Sequence, residues 1–262
     1  MDASEFIPKD GDLILRDDQA DYLAILDEAK KRRKRGARLR LIDSGRASVL
    51  ELERLCLSGA EIFTSDKAGR TPSDLINLTA VAQKKGGLIA HFQHGPLLSD
   101  SSGAALSLDA LREAARRGVY LYLSNKTKTR LTEDLIVLAE EGRRGRRRLG
   151  YYFHGAPTPD LEELARRGAW IHVSADPKTA DSSAAILRDV AAAAAAKGAG
   201  LVIHLEQPVP AAALEDLWAA GAYLLFRIPP SDYRSPLRTL EEKAVRRPLD
   251  PRAYYLYSEF MR

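Results

Sequence analysis

Short apolar runs alternate along this chain with longer stretches in which leucine or alanine recurs every third or fourth residue. The runs are Leu39–Asp43, Glu61–Ser65, Leu88–Gln93, Tyr120–Ser124, Leu149–Phe153, Trp170–Ser174, Leu201–Glu206 and Tyr223–Arg227. A strand buried on both faces of a parallel sheet reads as such a run, and an amphipathic helix reads as the three-and-four spacing. Val49–Leu55, Leu108–Ala115, Leu131–Ala139 and Leu161–Ala165 are of the second kind. Eight strands alternating with helices predict an α/β fold, a TIM-like parallel (βα)8 barrel rather than an open sheet.

The units alternate in kind. After each odd strand a short helix ends at a glycine: Gly59, Gly118, Gly168 or Gly221. Glycine suits the left-handed cap of a helix, and a strand follows at once. After each even strand comes a longer loop, as in Ser65-Asp66-Lys67-Ala68-Gly69-Arg70-Thr71 and Ser124-Asn125-Lys126-Thr127. The chain therefore reads as four (βα)2 modules beginning near Leu39, Leu88, Leu149 and Leu201. Residues 1–36 form an N-terminal extension, with a small strand or plug at Gly11–Leu15 and a helix over Asp18–Arg35. The barrel occupies 37–247, with its last helix at Pro236–Arg246. The aromatic tail 248–262, around Ala253–Tyr257, is expected to dock on the barrel wall or on a second subunit.

Bulk composition narrows the picture. In 262 residues, 45% are hydrophobic, enough for one sizeable core, and the formal net charge is +4, which permits an anionic ligand without demanding nucleic acid. Cys56 is the only cysteine, so the chain forms no internal disulfide, and its place on an apolar helix face predicts a buried, inert thiol. The first residues lack an apolar signal core, and no stretch approaches the ~18 apolar residues of a membrane span. A cytoplasmic location is expected.

All five histidines lie on or just past the strand runs. Side chains alternate across a strand, so aligned modules sort into two sets. One set, Ile42, Phe92, Tyr152 and Leu205 with Thr64, Leu123, Val173 and Phe226, is expected to face the helices. The other is polar toward the carboxyl ends of the strands, where (βα) barrels keep their active sites. It holds Asp43, Ser65, His91, Gln93, Tyr122, Ser124, Tyr151, His172, Ser174, His204, Glu206 and Arg227. His94 and His154 fall out of this phase and are expected at the rim.

Residues two apart on a strand share a face, so His204-Leu205-Glu206 and His91-Phe92-Gln93 each aim two polar heads into one space. The third and seventh predicted strands oppose each other across a barrel, which would bring His91 and His204 together, with His172 and Asp43 beside them. Three readings stand open. His91, His172, His204 and Glu206 are a competent set for a divalent ion such as Zn2+ or Mn2+. His91, His204, Glu206 and Asp43 without metal are a general acid–base set. The histidines are otherwise satisfied members of the core. Metal-dependent amidohydrolases and PHP phosphoesterases also carry inward histidines in (βα) barrels. Both open with His-x-His on the first strand, where this chain has Leu41-Ile42-Asp43, so no ligand set is carried over from them.

Cations gather after the even strands, among them Lys67 and Lys126. With Arg227 on the wall, and Gln93, Tyr122, Tyr151 and Ser174 as hydrogen-bonding groups, they suit a small phosphorylated or carboxylated ligand. There is no Gly-x-Gly-x-x-Gly, Walker loop or strand-end lysine, so no nucleotide cofactor is expected. The sequence thus predicts a barrel enzyme, a hydrolase or lyase acting on a small anion. The alternatives are a ligand-binding barrel without turnover and a non-catalytic barrel working as an assembly module. The last would use the basic runs Lys30–Arg35 and Arg143–Arg148, which lead into strands on the face away from the pocket and could meet an acidic partner, nucleic acid or anionic lipid.

Overall fold

The computed structural model describes residues 9–95, 107–127, 130–175, 183–207, 209–226 and 260. Nine strands form one parallel sheet in chain order: β1 Leu13–Arg16, β2 Leu39–Ile42, β3 Glu61–Ser65, β4 Ile89–Gln93, β5 Tyr120–Ser124, β6 Gly150–Phe153, β7 Trp170–Ala175, β8 Leu201–Leu205 and β9 Tyr223–Phe226. The helices between them are α1 Tyr22–Lys34, α2 Val49–Leu57, α3 Pro72–Gln83, α4 Leu108–Arg116, α5 Thr132–Arg144, α6 Asp160–Arg166, α7 Ala184–Ala196 and α8 Ala211–Ala219. Strictly sequential parallel strands, each returned by a helix, define an α/β fold of the (βα)8-like barrel class.

The extra strand is β1. It pairs in parallel with β2, Leu13 opposite Leu39 and Arg16 opposite Ile42. Its apolar core is only Leu13-Ile14-Leu15, half-exposed and bounded by Asp12 and Arg16, which is too short to stand out as a run. Asp12 fixes the register, since its carboxylate accepts from the Arg38 amide at 2.8 Å while Leu13 N–H donates to Arg38 O at 3.0 Å.

Local chemistry sets the helix ends. Ser48 and Glu51 form a capping box at the start of α2, and Thr71 and Asp74 form another at α3, where Pro72 takes the first helical position. Helix α4 ends at Gly118 with φ 97°, the left-handed cap its sequence predicts. Helix α5 departs from that rule. A Cβ on Gly145 would lie 2.1 Å from Ala115 O, so the glycine is spent on the close approach to α4. The left-handed position then falls on Arg146, with φ 60°.

The described residues fall into two compact units, 9–123 with 140–147 and 124–139 with 148–260. In the first, strand register places Phe63, Ala90 and Tyr120 on one face of the sheet, and Thr64, His91 and Leu121 on the other. Leu41 and Ile62 share the face of His91, and Ile42 shares that of Phe63. In the second, Tyr152, His172 and Val202 share a face, as do Ser174, His204 and Leu225, while Tyr151 pairs with Ile171 on the opposite side.

This corrects the phase expected for three strands. Ile42, Phe92 and Tyr152 lie on the faces of Phe63, Tyr122 and His172, and His91, Gln93 and Tyr151 lie opposite. The phase expected for β8 and for the strands of Thr64, Leu123, Val173 and Phe226 agrees with the register. The reason is burial. Every residue of β2, β4 and β5 is buried, so both faces select apolar side chains and alternation carries little phase information.

Candidate functional site

In the second unit a polar cluster forms toward the carboxyl ends of β6, β7 and β8. His172 and His204 are 1% and 2% exposed. Their Nδ1 and Nε2 atoms lie 3.0 Å apart in a single hydrogen bond, with ring centroids 5.3 Å apart. Burial pushes the His172 imidazole down to about 3, so it is neutral through the working range of pH. One ring donates N–H and the other accepts, and the tautomer of each fixes that of its partner.

Tyr152 lies over this pair, its ring 5.0 Å from His204 in an edge-on arrangement and 6.3 Å from His172. Its hydroxyl and that of Ser174 share a hydrogen bond. His154, two residues beyond Tyr152, is half-buried with its ring 4.4 Å from that of Tyr152. The Asn125 carboxamide binds the His154 backbone at both ends: Oδ1 accepts from its N–H at 2.6 Å and Nδ2 donates to its carbonyl at 3.1 Å. Burial, then the nearby Lys126 ammonium, lowers the basicity of His154, and Glu206 opposes them. Lys126 and Glu206 are both exposed.

The remaining predicted residues occupy other settings. In the first unit His91 is fully buried, its Nε2 3.0 Å from Gln93 Oε1, and burial lowers its basicity. Asp43 is held by Arg70 through two bonds of 2.7 and 2.6 Å and also accepts from Gly45 N–H at 2.9 Å. Arg70 reaches on to Ala47 O at 2.6 Å, so this pair staples the loop after β2 to the loop after β3. Tyr122 stacks on Phe92 with centroids 4.7 Å apart, and Lys67 is exposed. In the second unit Tyr151 sits on the far face from His172, where burial raises its phenol to about 12. Arg227, the helix expected at Pro236–Arg246 and the tail at Ala253–Tyr257 lie outside the described residues.

The structure thus joins His172, His204 and Ser174, and it adds Tyr152, His154 and Asn125, which sequence reasoning left aside. Only the phase of β6 separated Tyr152 and His154 from the predicted set. Reading Tyr152 and His154 as one face, two apart like His172 and Ser174, would have found them. Among the described residues, no group of three or more His, Cys, Asp or Glu side chains is arranged to hold a metal ion.

Much of the basic runs is engaged within the protein. Arg32 and Arg33 donate to the carbonyls of Gly11 and Leu57 at 2.8 and 3.0 Å, and Arg144 pairs with Glu141 at 2.7 Å. Arg147 lies over the Tyr120 ring, and Arg148 donates to Gly168 O at 3.2 Å.

No family model matches the sequence, and no match appears among curated proteins. Solved structures overlap it loosely. Type I 3-dehydroquinate dehydratase from Clostridium difficile, with covalently modified comenic acid, is 11% identical, with 91% of this chain and 94% of that one covered at a TM-score of 0.42. The 3-dehydroquinate dehydratase from Aquifex aeolicus is 13% identical, with 96% and 98% covered at 0.36. A dipeptide epimerase from Methylococcus capsulatus, complexed with a magnesium ion, is 17% identical, with 84% and 56% covered at 0.39. At these values neither chemistry nor residue roles transfer.

Proposed function

We propose that this protein is an acid–base enzyme, a hydrolase or lyase acting on a small phosphorylated or carboxylated molecule at the carboxyl ends of β6–β8. The observation that carries the reading is the buried His172–His204 hydrogen bond beneath Tyr152. Two imidazoles are a costly way to fill a core that leucine fills elsewhere in the same sheet, and a proton-handling role accounts for them. His204 moves the proton, and neutral His172 holds its tautomer as the orienting partner does in a catalytic dyad. The Tyr152 and Ser174 hydroxyls supply hydrogen bonds to the substrate, and Lys126 supplies positive charge at the rim.

The test is a turnover screen over small phosphate esters, hydroxy acids and other carboxylates, read for hydrolysis and for elimination, with and without Zn2+ or Mn2+. His204→Gln keeps hydrogen-bonding capacity but not basicity, and is expected to lower turnover by about 10² to 10⁴-fold with the fold intact. Absence of turnover, together with no binding of inorganic phosphate or of the carboxylates, would overturn the proposal.

A further inference from the structure

We infer that Asn125 is a positioning residue for His154, and that His154 is the imidazole this site presents to the anionic group of its substrate. The inference deepens the acid–base reading and rests on it. The chain leaves the sheet after Phe153, so His154 has no neighbouring strand to pair with. Asn125, at the end of β5, supplies that pairing from a side chain. Its amide oxygen takes the His154 N–H and its amide nitrogen meets the His154 carbonyl, while Asn125 N–H donates to Tyr152 O at 3.4 Å. One carboxamide thereby extends β6 by a residue and fixes the base of an imidazole that has left the strand.

Asparagine is the one side chain that fits both bonds. Aspartate lacks the donor, and glutamine places both groups one methylene too far out. The imidazole so held lies against the Tyr152 ring, and its Nε2 is a buried atom with no hydrogen-bond partner among the described residues. A buried polar atom of this kind is costly until something pairs with it. Lys126, next in sequence to Asn125, and Glu206, two residues past His204, bring one charge of each sign to bear on the ring. A phosphate or carboxylate oxygen would accept from Nε2–H and pair with Lys126. A neutral or cationic ligand would do neither.

The test follows the imidazole resonances of 15N-labelled protein, with inorganic phosphate as probe. In the otherwise native protein, Glu206→Gln lowers the His154 titration midpoint, Lys126→Met raises it, and added phosphate raises it. In Asn125→Ala both charge effects collapse and phosphate binding weakens by about tenfold or more, as misplacement of a binding group does, with the His172 and His204 signals unmoved. Asn125→Asp, which keeps the acceptor and loses the donor, falls between. Unchanged titration and phosphate response in Asn125→Ala would overturn the positioning role. If that variant does not fold, the surface variants still decide, because no effect of Lys126→Met or Glu206→Gln on His154 removes the placement. Expected His154 behaviour in a protein without turnover sinks only the enzyme reading. Turnover that depends on His204 beside an unresponsive His154 sinks only this inference.

Discussion

His172 and His204 stand on neighbouring strands as diagonal neighbours, His172 opposite Val202 and His204 opposite Ser174, so that Nδ1 of the first meets Nε2 of the second at 3.0 Å. Neither ring can gain a proton without turning a neutral N–H···N bond into a buried charge. That relationship governs how the protein responds to acid.

An imidazole in the unfolded chain titrates near 6.5, whereas burial pushes His172 down to about 3. Between those values the unfolded chain binds more protons than the folded one, so stability is full above pH 6.5 and falls as pH drops toward 3. The complete loss from His172 is on the order of 4 to 5 kcal/mol. His91, lowered chiefly by burial, adds in the same sense. Urea midpoints measured from pH 7.5 to 4.5 should fall steadily, and His172→Phe should flatten the slope. A profile that is level over this range would contradict the buried neutral pair.

Arg70 and Asp43 have side chains 8% and 0% exposed. Removing one partner of such a pair strands the other charge and costs about 3 to 5 kcal/mol. Arg70→Met is expected to fall in that range by chemical denaturation, and Asp43→Leu added to it should recover at least ~2 kcal/mol. A single variant within 1 kcal/mol of the native protein, as about the cost of an exposed pair, would show that the bridge is solvated.

The turn after α5 offers a paired test of opposite sign. Arg146 holds φ 60° without the freedom of glycine, and Arg146→Gly should stabilise the protein by about 1 kcal/mol. Gly145→Ala should destabilise it, because the new Cβ would meet the Ala115 carbonyl at 2.1 Å. Thermal melts of the two variants read both effects, and shifts in the same direction would refute the assignment.

Cys56 is buried in α2, and its thiol is pushed up to about 12, first by burial and then by Glu53. The native protein should therefore resist thiol reagents at pH 8, with modification appearing only as urea unfolds the chain. Rapid labelling of the folded protein would be incompatible with this packing.

The alternation of strands and helices was legible because it depends on run length and on punctuation by glycine, serine and proline. Gly118 caps α4 as its position predicts, and the Thr71-Pro72 start of α3 is written in two residues. Strand β1 was written too briefly, since three apolar residues between charges resemble a loop. The site was half legible. His172, Ser174 and His204 were placed on one face by simple alternation, and the register agrees. His91 and Tyr122 were placed together and lie on opposite faces, because Ile89, Ala90 and Phe92 are apolar on both sides and give no phase. Asn125 could not be read at all: its role depends on a backbone 29 positions away.

The loop that follows β2 is hooked from within. Asp17 accepts the amides of Ser44 and Ala47 at 2.8 and 2.9 Å, and Asp43 accepts that of Gly45. The path of this segment is consequently dictated by carboxylates at its root, and its outward side chains answer for little of its shape. Arg46 and the similarly outward Lys67 are thus natural places to introduce diversity when recoding that rim for a new ligand, provided Asp17, Asp43 and Arg70 are left as they are.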